Sequence, residues 1–386
     1  MTHLPPTQGT VLLDGDPQAP QQARLGAALA ARGWNVLVLD APHVADQICR
    51  EFGQPCKELH SLPRRLFALH AWHLQRMARS HHVDVVHLNF VTPRQRVWVG
   101  EAKGPAYVAT AWGSDLNREI FRRSAAHDAA VDAILAGASA VTADSWPLLR
   151  KAEARMGNNP APRQWILWGA DLQQFSRAAA TDNAQAIRLQ LGIPAGAKVL
   201  LSPRQPQRHY HVERIVEGFA ASRWATEGVL VLKLHGKSGE DAYLYELMAL
   251  AKRLGVADRV LLAPRVPYDQ LPGLFALADA AVSLPEADGV PSTFLELMAM
   301  QVPIVATDLP DYEGVLPHGE RGLLVPAKDK HALVRSLDQL LEQPQETAAM
   351  VERARQWALA NADWSQSVAQ WEALYRQAIA GKRRSN

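Results

Sequence analysis

Cysteine is nearly absent: Cys49 and Cys56 are the only two in 386 residues. Two thiols build no disulfide framework, and no Cys or His spacing matches a zinc site, so a reduced, cytoplasmic protein is expected. The start, MTHLPPTQGT, lacks a basic segment followed by an apolar one, and no secretory leader is expected. No uninterrupted apolar run reaches the length of a membrane span. Charge of one sign is lacking too. The formal net charge of +2 excludes a nucleic-acid binder held by charge alone. The small asymmetry is local: residues 1–178 hold 19 Lys+Arg against 15 Asp+Glu and nine of the 14 His. That balance suits an anionic partner on the first half.

What is present is a globular composition, 48% hydrophobic and 21% charged, in a chain long enough for two cores. Short apolar runs alternate with helical segments. TVLLDG (10–15), WNVLVLD (34–40), VDVVHLNF (83–90), AYVATAW (106–112) and ASAVTADS (138–145) read as strands buried on both faces of a parallel sheet. AAATDNAQ (178–185) reads as a polar linker, and then the rhythm restarts. AKVLLSPR (197–204), GVLVLKLHG (228–236), DRVLLAPR (258–265), DAAVSLPEADG (279–289), VPIVATD (302–308) and RGLLVP (321–326) are the second set of strands. The expectation is α/β, with two doubly wound Rossmann-like domains, 1–178 and 186–363, facing each other across a cleft. An amphipathic helix at 364–386, with a basic frayed tail, is expected to pack back on the first.

The segment ADGVPSTFLELMAMQVPIVATD (287–308) carries two acids, Asp288 and Glu296, around a turn marked by Gly289 and Pro291. A helix is expected from about Thr293. Thr293 and Glu296 match a capping box, so one reading of Glu296 is a helix cap. The other is functional. A strand, a glycine turn and a helix start aim free N–H groups at an anion such as a diphosphate. Asp288 and Glu296 then accept from hydroxyls on either side of it.

The same segment resembles the signature of the retaining family 4 glycosyltransferases, with acids spaced E-x7-E; here Asp288 stands for the first Glu. VDVVHLNF, TAWGSD, WGADLQQF, LLSPRQPQRHYHVERIVEGFA and RVPYDQLPGLFALADAAVSLPEADG resemble other family pieces in the family's order. The resemblance covers nearly the whole chain. It implies a GT-B fold and transfer of a sugar from a nucleotide sugar, UDP- or GDP-linked, with retained configuration and no cofactor. It implies that Asp288 holds a donor-sugar hydroxyl, Glu296 the ribose and Arg204 the diphosphate. Backbone from Gly289 through Val290, Pro291, Ser292, Thr293 and Phe294 would line the donor, and Val266 would read the base. The family's second phosphate cation is a Lys; His209 takes that position here, and Arg208 is the nearest cation. On the acceptor side the resemblance points to Gly15, Asp16, Trp112 and Asp115, with Trp112 where many members carry a His. Gln301 replaces the family's usual Gly.

The implied reaction is a front-face substitution in cell-surface polysaccharide or lipopolysaccharide synthesis, on a glycan or lipid-linked acceptor. No nucleophilic side chain presents itself. Asp14-x-Asp16 directly after the first strand reads as an ordinary turn rather than a metal motif, and no metal is expected. The basic stretch SLPRRLFALHAWHLQRMARS (61–80) reads as a surface helix; its sharper reading is peripheral contact with the anionic inner face of the cytoplasmic membrane. Two alternatives remain, a GT-B nucleotide-sugar epimerase and a non-catalytic nucleotide-sugar-binding relative.

Overall fold

The computed structural model describes residues 8–15, 20–61, 67–100, 104–117, 123–234 and 240–385. The chain divides into two compact units, Met1–Trp168 with Ser365–Asn386, and Gly169–Trp364.

In the first unit the elements run β1 (Thr10–Gly15), α1 (Pro20–Ala31), β2 (Asn35–Leu39), α2 (Pro42–Arg50), β3 (Lys57–Leu59), α3 (Phe67–Ser80) and β4 (Val85–Asn89). They continue with β5 (Ala106–Ala111), α4 (Ala125–Gly137), β6 (Ala140–Ala143), α5 (Trp146–Arg155) and β7 (Arg163–Trp165). Among the described residues these strands form one parallel sheet in the order β3-β2-β1-β4-β5-β6-β7. Every residue of β1 and β5 is buried, which is why both segments read as continuous apolar runs. Ser124 and Ser145 start α4 and α5 by accepting the N–H of His127 and Leu148. The edge strands β3 and β7 were not expected; each has three residues and no apolar run.

The second unit begins with α6 (Arg177–Gln190), followed by β8 (Lys198–Ser202), α7 (Val212–Ala221), α8 (Trp224–Glu227), β9 (Gly228–Lys233), α9 (Glu240–Arg253) and β10 (Val260–Ala263). Then come α10 (Leu271–Ala276), β11 (Ala280–Ser283), α11 (Ser292–Ala299), β12 (Ile304–Thr307), β13 (Leu323–Val325), α12 (Lys330–Glu342) and α13 (Pro344–Asn361). The expected linker 178–185 is helical instead. Ala180, Ala184 and Ile187 recur at helical spacing and are buried, so this polar-looking segment has an apolar stripe. The parallel sheet order is β10-β9-β8-β11-β12-β13. Both sheets therefore grow outward from their first strand, then return to its other side. In the second sheet that reversal falls between β8 and β11, the position where doubly wound sheets open a ligand crevice.

The last helix, α14 (Trp364–Ser385), adds its side chains to the first unit. Trp371 and Tyr375 are fully buried. The Glu372 carboxylate accepts from Trp34 Nε1 at 2.9 Å and Arg32 Nη1 at 2.8 Å. The Tyr375 hydroxyl meets His87 Nδ1 at 2.5 Å, and Thr110 Oγ1 meets His87 Nε2 at 2.6 Å. Burial pulls the His87 imidazole down to about 3, so it is neutral. The expected fraying of the basic tail is not seen before Ser385: Arg383 Nη2 lies 3.1 Å from Asp84 Oδ1.

Candidate active site in the second unit

Arg204 follows β8 and Asp288 follows β11, so the two flank the reversal of strand order. Arg204 Nη2 lies 3.1 Å from Asp288 Oδ2, with both side chains only 16% exposed. The contact is a buried ion pair, and Asp288 Oδ2 is sealed from solvent. The guanidinium also donates to the Tyr210 hydroxyl and stacks on its ring, Cζ 4.4 Å from the centroid. Burial raises the Asp288 carboxyl above its ordinary value. Asp311 adds to that rise, while Arg204 and the Gly289 N–H oppose it. Burial weakens the charged form of Arg204 as well, but Asp288 and Tyr210 outweigh it and the cation stays charged.

Helix α11 starts at Ser292, after Pro291 as its N-cap, and no side chain caps it. The expected box of Thr293 and Glu296 therefore does not form: Thr293 is already inside the helix. Glu296 is 2% exposed and accepts from the Tyr268 hydroxyl at 3.2 Å. Tyr268 lies two residues beyond the half-buried Val266, so Val266 and Glu296 belong to adjoining segments. The loop supplies fewer free donors than expected. The Phe294 N–H is spent on Pro291 O at 2.9 Å, the Gly289 N–H serves Asp288, and Pro291 has none. Val290 is buried. Helical geometry leaves the N–H groups of Ser292 and Thr293 without acceptors in the helix.

The remaining predicted cations do not join Arg204. Arg208 is 69% exposed and turns to Glu246, with Nη2 at 2.6 and 2.8 Å from its two oxygens and Cζ 4.9 Å from the Tyr243 centroid. His209 packs on Tyr210, ring centroids 3.9 Å apart, and its carbonyl accepts the Glu286 N–H at 2.9 Å. That bond ties the loop after β8 to the loop after β11. Burial, then Arg204 and His211, lower the imidazole pKa, which keeps His209 neutral near pH 7. Sequence reasoning missed Tyr210, Tyr268, Asp311 and Tyr312, all loop or single-turn residues with no periodicity to reveal them.

In the first unit, Gly15 has no room for a side chain, since an added Cβ would sit 2.7 Å from Asn89 O. Asp115 is buried and accepts the N–H groups of Val91, Trp112 and Gly113 at 3.0, 3.1 and 2.9 Å. It clamps its loop and has no free face for an acceptor. Trp112 packs edge-on against Phe90 and Trp168, and its indole N–H is buried without a partner. Asp14 accepts from Trp98 Nε1 at 2.8 Å and Arg94 Nη2 at 3.1 Å. Asp16 lies outside the described residues, among which no cluster of His, Cys, Asp or Glu could hold a metal.

A doubly wound parallel sheet with a buried charged pair beside its reversal places these residues where such sheets generally bind ligands. The sequence profile described as "Glycosyl transferases group 1" matches residues 183–357, and that of "Glycosyl transferase 4-like" matches residues 16–145. A D-inositol 3-phosphate glycosyltransferase of Corynebacterium urealyticum is 33% identical over 215 residues, 54% of this chain. The chain spans about half the length of that relative, 49%. Another, from Salinispora arenicola, is 27% identical over 365 residues, 89% of this chain and 80% of that protein. The crystal structure of Anabaena HepE in complex with UDP matches 95% of this chain and 98% of its own, with a TM-score of 0.79 at 18% identity. The fold is GT-B, and the chain belongs to the group 1 glycosyltransferases.

Proposed function

We propose that this protein moves a glycosyl group from a nucleoside diphosphate sugar to a hydroxyl of a glycan or lipid-linked acceptor, with retained configuration and without a metal ion. The observation that carries the reading is the buried Arg204–Asp288 pair at the switch between β8 and β11. Breaking the sugar–phosphate bond builds negative charge on the departing diphosphate. Arg204 and the Ser292 and Thr293 N–H groups are the donors available to it, and the guanidinium supplies charge that a divalent ion would otherwise bring. Asp288 accepts from a donor-sugar hydroxyl, and Glu296, on the next turn of α11, from the ribose. In a front-face substitution the acceptor oxygen bonds to the anomeric carbon as the phosphate bond breaks, and the acceptor's proton passes to the leaving phosphate.

The acceptor belongs to cell-surface polysaccharide or lipopolysaccharide synthesis in this reading, met at the inner face of the membrane. Helix α3 supports that. Leu69 and Trp72 are 48% and 53% exposed, Arg76 lies over the Trp72 ring at 5.6 Å, and Arg79 continues the stripe. Arg64 and Arg65 lie outside the described residues. Among the described residues no helix is long and apolar enough to cross a membrane; the contact in this reading is a peripheral one.

Thermal shift against a panel of nucleotide sugars and bare nucleoside diphosphates tests the reading, because a ligand that binds only the folded state raises its melting temperature. One nucleotide sugar should stabilise the protein more than its nucleoside diphosphate, and should be consumed only with an acceptor. Turnover without an acceptor would instead make this an epimerase, and binding without turnover a non-catalytic relative. A protein that binds no nucleotide sugar at all would refute every version.

A further inference from the structure

Tyr312 ends the single turn Pro310–Tyr312 that follows β12. Its side chain is 1% exposed, and its ring meets Phe294 of α11 edge to face, centroids 5.1 Å apart. Apolar packing thus fixes the ring. The hydroxyl is another matter: its oxygen is sealed from solvent and has no hydrogen-bond partner. A buried phenol ordinarily finds one, because leaving a dry hydroxyl unpaired costs more than a hydrogen bond returns.

The charged and titratable groups that act on this hydroxyl are Asp288, Arg204, Tyr210 and Asp311, with Asp288 the strongest of them. Asp288 is the nearest thing to the acceptor this hydroxyl lacks. The Asp288 Oδ2 is buried, with the Arg204 guanidinium 3.1 Å away. A buried donor without an acceptor and a buried acceptor that depends on a shared cation therefore act on each other. Arg204 meanwhile is divided between Asp288 and the Tyr210 hydroxyl.

We propose that Tyr312 is a positioning residue for Asp288: when a diphosphate draws the Arg204 guanidinium onto itself, the Tyr312 hydroxyl takes over Asp288 Oδ2 and holds the carboxylate's other oxygen toward the donor sugar. This rests on the reading of Arg204 and Asp288 as donor-site residues. The exchange keeps the carboxylate paired throughout, since a hydrogen bond to an ionised acceptor is among the stronger ones. Burial pushes the Tyr312 phenol well above its ordinary pKa, so it keeps its proton and donates. It also makes Tyr312 matter for the sugar and not for the bare nucleotide.

Tyr312→Phe keeps the ring and its contact with Phe294 and removes only the oxygen. The ligand-free variant should melt no lower than the wild type, because the deleted group was unpaired. Its affinity for the bare nucleoside diphosphate, read by calorimetry, should be unchanged. Affinity for the intact nucleotide sugar and turnover should each fall about 10-fold, the scale of one charge-assisted hydrogen bond. In an Asp288→Asn background the same substitution should change donor affinity less than twofold, because Tyr312 acts through Asp288. A variant that melts lower while the donor and the diphosphate bind as before would make the hydroxyl an ordinary structural group and overturn the proposal. Equal losses for both ligands, or a variant indistinguishable from wild type, would overturn it too. If the wild type itself binds no nucleotide sugar, the functional reading has failed, and this inference with it; if the wild type binds and the variant binds equally, only the inference has.

Discussion

Replacing Arg204 by Met separates the two things its guanidinium does, holding Asp288 and waiting for a diphosphate. The stability effect follows from the pair's surroundings. Both side chains are 16% exposed and 3.1 Å apart, so removing one charge strands the other away from water. Breaking a buried pair in this way costs about 3–5 kcal/mol when the stranded charge has no escape. Asp288 has one: burial already raises its carboxyl above the ordinary value, and without Arg204 it rises further, which makes protonation an easier relief for the stranded charge. The expected loss for Arg204→Met at pH 8 is therefore nearer about 2–3 kcal/mol. Its pH dependence has a definite sign. A carboxyl whose folded-state pKa lies above its unfolded value stabilises the fold at low pH and loses that contribution as pH rises through the folded value. The deficit of Arg204→Met relative to wild type should thus shrink between pH 8 and pH 5. Asp288→Asn in the same chain should recover most of it, with a coupling of about 1–3 kcal/mol in the double-mutant cycle. Urea unfolding at both pH values measures all of this, and turnover of Arg204→Met should fall about 100-fold or more. A cost below about 0.5 kcal/mol, or a double variant less stable than either single one, would refute the pairing argument.

Four further outcomes are expected. The neutral, buried His87, with its pKa near 3, binds no proton while the unfolded chain does, so stability falls below about pH 6.5, by about 2 kcal/mol by pH 5; urea unfolding of His87→Gln should show a shallower acid dependence than wild type, and equal slopes would contradict this. Gln301 sits at φ 56°, in the left-handed region, and its side chain donates to Glu352 at 3.2 Å; Gln301→Gly gives up that half-buried bond but relieves the backbone, and should gain about 0.5–1 kcal/mol and raise the melting temperature. Turnover should survive a strong chelator, and abolition reversed by a divalent ion would return attention to Asp14 and Asp16. Binding to anionic vesicles should weaken with salt and with Trp72→Glu; indifference to both would leave α3 a plain surface helix.

The central strands were legible because they are buried on both faces, so β1 and β5 appear in the chain as unbroken apolar runs. The edge strands β3 and β7 were not, since three residues paired on one side need no such run. Asp288 and Glu296 were visible through spacing around a turn. The choice between a cap and a site-facing role for Glu296 was not, because it depended on whether the helix began at Thr293 or one residue earlier. Arg204 could be named from its place after a strand, whereas the turn of Arg208 toward Glu246 comes from α9, nearly forty residues on. Asp115 looked like a cleft residue and proved to be spent on three backbone N–H groups, a use no spacing announces. Tyr312 left no trace at all: a single aromatic residue in a short turn gains its meaning only from what the fold sets beside it.

Helix α14 has a consequence for how the protein is made. Glu372 answers Trp34 and Arg32, and Tyr375 answers His87, yet the partners stand 288 or more positions apart in the chain. The segment Gly169–Trp364 is continuous and can close its own core as soon as it leaves the ribosome. The first 168 residues, though translated earlier, cannot finish theirs until helix α14 arrives. Trp34 and His87 wait through the synthesis of everything between, so a stalled or clipped product would carry a sound second half and an open, aggregation-prone first one.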